Sequence, residues 1–148
     1  ADLKVVPVTT LEALALQVLD GPGSRALTCL DARMEEVYWG CFAWDTECGV
    51  LRSGALQVGP PGSVSLDPGA HYIGVGRGFS VYPVLATLPG LTTDAARSAA
   101  LPNARDIARL GALRLKGGGA LDAADLKPLY LRDKVAFTEA ERAAPSPL

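Results

Sequence analysis

Between Ala26 and Trp44 two strongly apolar runs flank a short polar stretch, and this arrangement restricts the fold more than any other part of the chain. Ala26-Leu27-Thr28-Cys29-Leu30 leads in, Asp31-Ala32-Arg33-Met34-Glu35-Glu36 interrupts, and Val37 to Trp44 resumes the apolar character. Short apolar runs rich in β-branched and aromatic residues, broken by a few polar ones, predict a β-hairpin. A second polar turn, Asp45 to Gly49, leads to a third strand over Val50 to Val58. Three consecutive strands with short connections make an antiparallel meander. Gly59-Pro60-Pro61-Gly62 stops it, because proline cannot donate to a strand ladder. Trp39, Phe42 and Trp44 occupy both faces of the middle strand. That predicts a strand buried on both sides, or one with a face offered to a partner.

Helical signals surround the meander. Thr9 and Glu12 have the spacing of a capping box, in which each side chain satisfies a free backbone donor. Leu11, Leu14, Ala15, Val18 and Leu19 then share one helical face, and Gly21-Pro22-Gly23 closes the segment. Leu3 to Val8 reads as a strand end. After the meander, Tyr72-Ile73-Gly74-Val75 predicts a short buried strand, Gly76-Arg77-Gly78 a turn, and Phe79 to Leu88 a helix with Pro83 near its start. Asn103 caps a further helix, with Asp106 favourable at its positive end. Ile107, Leu110, Gly111 and Leu115 form that helix's inner face, and Gly117-Gly118-Gly119 ends it. Leu129-Tyr130-Leu131 is a last strand candidate. From Thr138 the chain is charged, then rich in Ala, Pro and Ser, and is expected to be disordered. A meander followed by strand–helix units predicts an α/β fold with a mixed sheet flanked by helices.

Charge and composition narrow the function. A chain of 148 residues is long enough for one domain with its own core. Its formal net charge of −2 argues against a broad nucleic-acid surface, which needs clustered Lys and Arg. No apolar run approaches the roughly 20 residues of a spanning helix, and nothing at the N-terminus reads as a signal peptide. The three cysteines, Cys29, Cys41 and Cys48, are odd in number and irregular in spacing. They read as reduced structural thiols in a cytoplasmic protein. His71 is the one histidine and no C-x-x-C pair exists, so no zinc site is expected.

Few residues suggest chemistry. Gly74-Val75-Gly76-Arg77-Gly78 lies between a strand and a helix. There free N–H groups could cradle a phosphate, and Arg77 could add a charge-assisted contact. The spacing is neither a Walker loop nor a complete G-x-G-x-x-G, and a tight structural turn is the competing reading. Gly74, Gly76, Arg77 and Gly78 are the candidate ligand residues. Asp31, Glu35 and Glu36 gather three carboxylates at the hairpin, where they could bind a cation or act as an acid–base pair. With Arg33 among them, a salt-bridged turn is the alternative. His71 has no nucleophile placed beside it by a motif.

Three segments in order resemble the TsaB (YeaZ) family. Asp31-Ala32-Arg33-Met34-Glu35-Glu36-Val37-Tyr38-Trp39 is similar to its D-A-R-x-x-E-V-Y signature. Gly74 to Phe79, followed by Tyr82-Pro83, resembles its glycine turn, with Arg77 where the family often has a small or acidic residue. Pro128-Leu129-Tyr130-Leu131-Arg132 resembles its P-x-Y-L-R. Val8-Thr9-Thr10-Leu11 looks like the start of the family's interdomain helix.

The resemblance implies a ribonuclease H-like domain of the actin-like ATPase kind, matching the C-terminal half of a two-domain protein. The division it suggests is a strand end and interdomain helix over 1–24, the domain over 25–137 and a tail over 138–148. It also implies a chain that is an expressed fragment or a proteolytic product. The implied role is a non-catalytic scaffold subunit in the synthesis of N6-threonylcarbamoyladenosine at position 37 of tRNA. Its partners would be TsaD, the catalytic subunit, and TsaE, an ATPase, met mainly through the absent N-terminal half. No catalytic residue and no metal carry over. ATP or ADP belongs to the full complex and not to this half. Two alternatives stand beside it: a nucleotide-binding ATPase or glycoprotease-like hydrolase, and a self-associating interaction module that forms homodimers.

Overall fold

Alternating burial along the strands shows why the meander dominates the architecture. The computed structural model describes residues 3–132. Strands β2 (Arg25–Arg33), β3 (Glu36–Asp45) and β4 (Gly49–Gly59) pair antiparallel, with Cys29 opposite Trp39 and Asp45 opposite Gly49. β1 (Lys4–Val5) precedes them and lies outside their sheet. β5 (Tyr72–Val75) adds to the other edge of β2 in parallel, with Leu27 opposite Gly74. β6 (Leu91–Thr92) extends the sheet in parallel again, so the order is β4-β3-β2-β5-β6. Short β6 and the one-turn helix α3 (Ala95–Ser98) carry too little periodicity to be read from sequence. β7 (Leu121–Asp122) pairs antiparallel with β1 in a separate two-stranded sheet.

Both faces of the large sheet are covered, because successive side chains of a strand point to opposite sides. On one face α1 (Thr10–Leu16) and α4 (Ala104–Lys116) bring Leu11, Ala15, Leu16 and Leu110 against Phe42, Val50 and Leu56. On the other, Leu27, Cys29, Val37 and Trp39 pack with Tyr72, Phe79 and Leu85. The alternation of Trp39 and Phe42 therefore marks a strand buried on both sides, with Trp44 packed on the Phe42 face. Each fully buried Leu or Phe contributes roughly 1.5–3 kcal/mol relative to exposure.

The helix boundaries follow their caps. The hydroxyl of Thr9 accepts from Glu12 N at 3.2 Å, and the Glu12 carboxylate accepts from Thr9 N at 2.8 Å. α1 nevertheless ends at Leu16, before Gly21, so Val18 and Leu19 pack from the connecting turn. Asn103 Oδ1 accepts from Asp106 N at 2.9 Å and starts α4.

Three expectations need correction. Phe79 to Leu88 is not one helix: α2 (Gly78–Val81) gives way to a 3₁₀ turn over Pro83–Thr87. Pro83 has no N–H to donate and holds Tyr82 out of helical geometry, at φ −125° and ψ 80°. Leu115 is 55% exposed and does not belong to the inner face of α4, which buries Leu110 and Asp106. Leu129-Tyr130-Leu131 is not a strand: among the described residues no strand lies beside it to complete a ladder. The expected tail over 138–148 lies outside the described residues.

Candidate functional site

The hairpin turn is held by its own polar groups. Met34 and Glu35 have φ of 54° and 61°, the left-handed region that a two-residue hairpin turn of the primed kind demands at its centre, and Arg33, at φ 61°, lies at the register shift that precedes it. Asp31 Oδ1 accepts from Arg33 N at 2.9 Å, and its other oxygen lies 3.4 Å from the Arg33 guanidinium. Glu36 pairs with Arg132, whose guanidinium also donates to Ala32 O at 3.0 Å and lies over the Tyr38 ring. Of the three carboxylates, Asp31 and Glu36 are thus engaged by arginines. Among the described residues no group of three or more His, Cys, Asp or Glu side chains is placed to hold a metal ion.

The glycine turn is shaped by close packing. A Cβ on Gly76, where φ is 115°, would sit 2.3 Å from Cys29 O. On Gly78 it would sit 2.8 Å from Cys29 Cβ, and on Gly74 2.8 Å from the Phe79 ring. Gly76 N donates to Arg97 O at 2.9 Å, so that donor points into the protein. The three glycines let the β5–α2 connection press against β2. Arg77 alone of the four candidates turns outward, and it forms no ion pair among the described residues.

Arg77 borders a cavity of about 540 Å³ with Thr10, Asp31, Arg33, Tyr38 and Leu101. Hairpin, glycine turn and the start of α1 therefore meet at one place, although they lie far apart in sequence. A larger groove of about 1020 Å³ shares Thr10, Leu30 and Tyr38 with it and runs between the segments 6–12 and 126–132. Glu12 lies in this groove, bound by Arg114 at 2.9 Å. Burial pushes the Glu12 carboxyl up, but the Arg114 hydrogen bond, the Thr9 N–H and the Arg114 charge outweigh it, and its pKa is lowered from 4.5. Sequence reading missed Thr10, Tyr38, Arg114 and Lys127 as groove residues; no local pattern marks them as such, since the segments that border the groove lie far apart in the chain.

The thiols are chemically quiet. Cys29, Cys41 and Cys48 are all free. Burial raises the Cys29 thiol far above its ordinary range, and burial with the charge of Asp67 pushes Cys41 up to about 11. His71 is exposed, with its Nε2 2.8 Å from Thr92 Oγ1.

An antiparallel meander continued by two parallel strands, with helices on both faces, defines an α/β domain of the ribonuclease H-like kind. No family model matches the chain. It is 27% identical to the tRNA threonylcarbamoyladenosine biosynthesis protein TsaB of Escherichia coli (strain K12), over 93% of this chain and 61% of that protein. It is similar to the structure of YeaZ from Pseudomonas aeruginosa, with a TM-score of 0.72, 28% identity and coverage of 86% of this chain and 60% of that one. A second Pseudomonas aeruginosa structure, described as similar to the peptidase YEAZ, gives a TM-score of 0.70 and 30% identity over 84% of this chain and 57% of that one. The chain is thus similar in sequence and fold to TsaB/YeaZ proteins, and it spans about 60% of their length.

Proposed function

We propose that the chain is a non-catalytic, TsaB-like partner in the synthesis of threonylcarbamoyladenosine in tRNA, corresponding to the C-terminal half of such a protein. One observation carries the reading: the likeness to TsaB extends over 93% of the chain and is matched by the fold of YeaZ. The proposed partners are TsaD and TsaE, engaged mainly through the N-terminal half of such a protein, and the proposed location is the cytoplasm. Among the described residues no helix is long and apolar enough to cross a membrane. The proposed division is 1–24, 25–137 and 138–148. To test the role, purified TsaD and TsaE are mixed with tRNA and either this chain or a full-length TsaB. Modification is expected with the full-length protein and not with this chain; modification supported by this chain alone would sink the half-scaffold reading.

A second reading keeps a ligand contact at the glycine turn. The outward guanidinium of Arg77 beside a cavity favours it, with Gly74, Gly76 and Gly78 shaping the turn. Titration calorimetry with ATP and ADP tests it: micromolar binding that disappears in Arg77→Ala would move nucleotide binding ahead of scaffolding.

A further inference from the structure

The hairpin lacks the residues its turn favours. A two-residue turn of the primed kind prefers Asn and Gly at its centre, because both central residues take positive φ. Here they are Met34 and Glu35, and Arg33 before them is also at positive φ. Left-handed backbone costs free energy at each non-glycine residue, and a run of three persists only where its surroundings hold it. Strand β2 is irregular at the same place. Its register steps from Asp31 opposite Val37 to Arg33 opposite Glu36, which makes Ala32 the extra residue of a β-bulge. A bulged residue is left out of the ladder, yet Ala32 is only 4% exposed, so its carbonyl needs a donor from elsewhere.

Arg132 supplies that donor from 100 positions away. Its guanidinium donates to Ala32 O at 3.0 Å and pairs with the Glu36 carboxylate. It also lies 5.9 Å from the centre of the Tyr38 ring and 3.8 Å from Met34 Sδ. One side chain thus touches the bulge, the turn and the first residues of β3. The backbone beside it is tied as well, since Leu131 packs against the same core as Tyr38. A planar fork with several donors can hold these groups at once, which the single ammonium of a lysine cannot. Asp31–Trp39 and Pro128–Arg132, two of the segments that carry the resemblance to TsaB/YeaZ proteins, are therefore two sides of one contact.

We infer that Arg132 is a positioning residue that latches the hairpin in its bulged, left-handed form, so that the shape of the hairpin and the docking of segment 126–132 change together as one switch. With the latch closed, the contacts of the guanidinium offset the cost of the turn. With it released, the hairpin relaxes to a turn without three left-handed residues. Such coupling is reciprocal: whatever draws 126–132 away reshapes the hairpin, and whatever reshapes the hairpin loosens 126–132. The switch lies within the chain and goes beyond the proposed complex, whichever assembly the chain joins.

Arg132→Gln and Arg132→Lys are made in the 148-residue chain, and amide exchange and amide chemical shifts are followed in both segments. In each variant exchange is expected to speed up about tenfold or more at 31–38 as well as at 126–132, with shift changes across the hairpin. Unchanged exchange in β5 checks that the rest of the chain is folded. Should Arg132→Gln not fold, Arg132→Lys, which keeps the charge, carries the same comparison. Glu35→Gly then separates a latch from an ordinary tie. Glycine removes the left-handed cost at a position outside the four contacts of Arg132. In that background loss of Arg132 should still free 126–132 but disturb the hairpin severalfold less. A hairpin unmoved by the Arg132 variants would leave Arg132 a tie for its own segment and overturn the inference. So would an equal hairpin response in the Glu35→Gly background, which would assign the effect to lost contacts and not to a held turn.

Discussion

Gly76 is the residue at which local sequence says least and the fold demands most. Its φ of 115° and the 2.3 Å approach of a notional Cβ to Cys29 O combine backbone strain with collision against a carbonyl that cannot move. Gly76→Ala is expected to cost roughly 3 kcal/mol or more. Gly54 also has positive φ, 84°, but meets nothing within 4 Å, so Gly54→Ala should cost only about 1 kcal/mol. Urea unfolding of the two variants checks the contrast. Comparable losses would mean that the close approach to Cys29 is not what requires glycine. The sequence marks Gly76 as a turn residue but does not show what it packs against. What separates Gly76 from Gly54 is the position of β2, which belongs to a different part of the chain.

At the scale of elements the hairpin and the α1–α4 contact make opposite points. The hairpin was legible, because apolar alternation on both sides of Asp31–Glu36 leaves few other solutions. Its turn still runs through Met34 and Glu35 at positive φ without glycine or asparagine. Replacing them by Asn-Gly should raise stability by about 1–2 kcal/mol at unchanged denaturant slope. A loss instead would show that the Met34 side chain matters more than the backbone conformation. The ion pair of Glu12 with Arg114 was not legible, although the capping role of Glu12 was. Because the folded pKa of Glu12 is lowered, its contribution is fully present above its ordinary value of 4.5 and is lost as pH falls through the folded value. Glu12→Gln should cost about 2 kcal/mol at neutral pH. The gap between variant and wild type should close at pH below 4.5, read from denaturant midpoints across pH. A gap independent of pH would place the effect in packing alone.

For the whole molecule, one sheet separates two cores, with Trp39 in one and Trp44 packed against the other. The shared strands β2 and β3 should make their loss concerted. Single-tryptophan variants Trp39→Phe and Trp44→Phe let each core be followed by the fluorescence of the remaining indole. Both indole N–H groups are buried without a hydrogen-bond partner among the described residues, so phenylalanine removes no polar contact there. Referred to circular dichroism on the same variant, each fluorescence transition should coincide. Separate midpoints would show that the two layers unfold independently.

Composition and pattern alone determined the three-strand meander, the caps at Thr9 and Asn103, the strand Tyr72–Val75 and the resemblance to TsaB/YeaZ proteins. All of these are set by residues close in sequence, through alternation, cap spacing and proline. Only the tertiary structure decided that β5 pairs with β2, not with β4. It likewise set the close packing of Gly74, Gly76 and Gly78 against β2 and Phe79, and the exposure of Arg77. It also brought Thr10, Tyr38, Arg77 and Lys127 to one groove. Those outcomes depend on which distant segments share a face, and short-range periodicity cannot encode that.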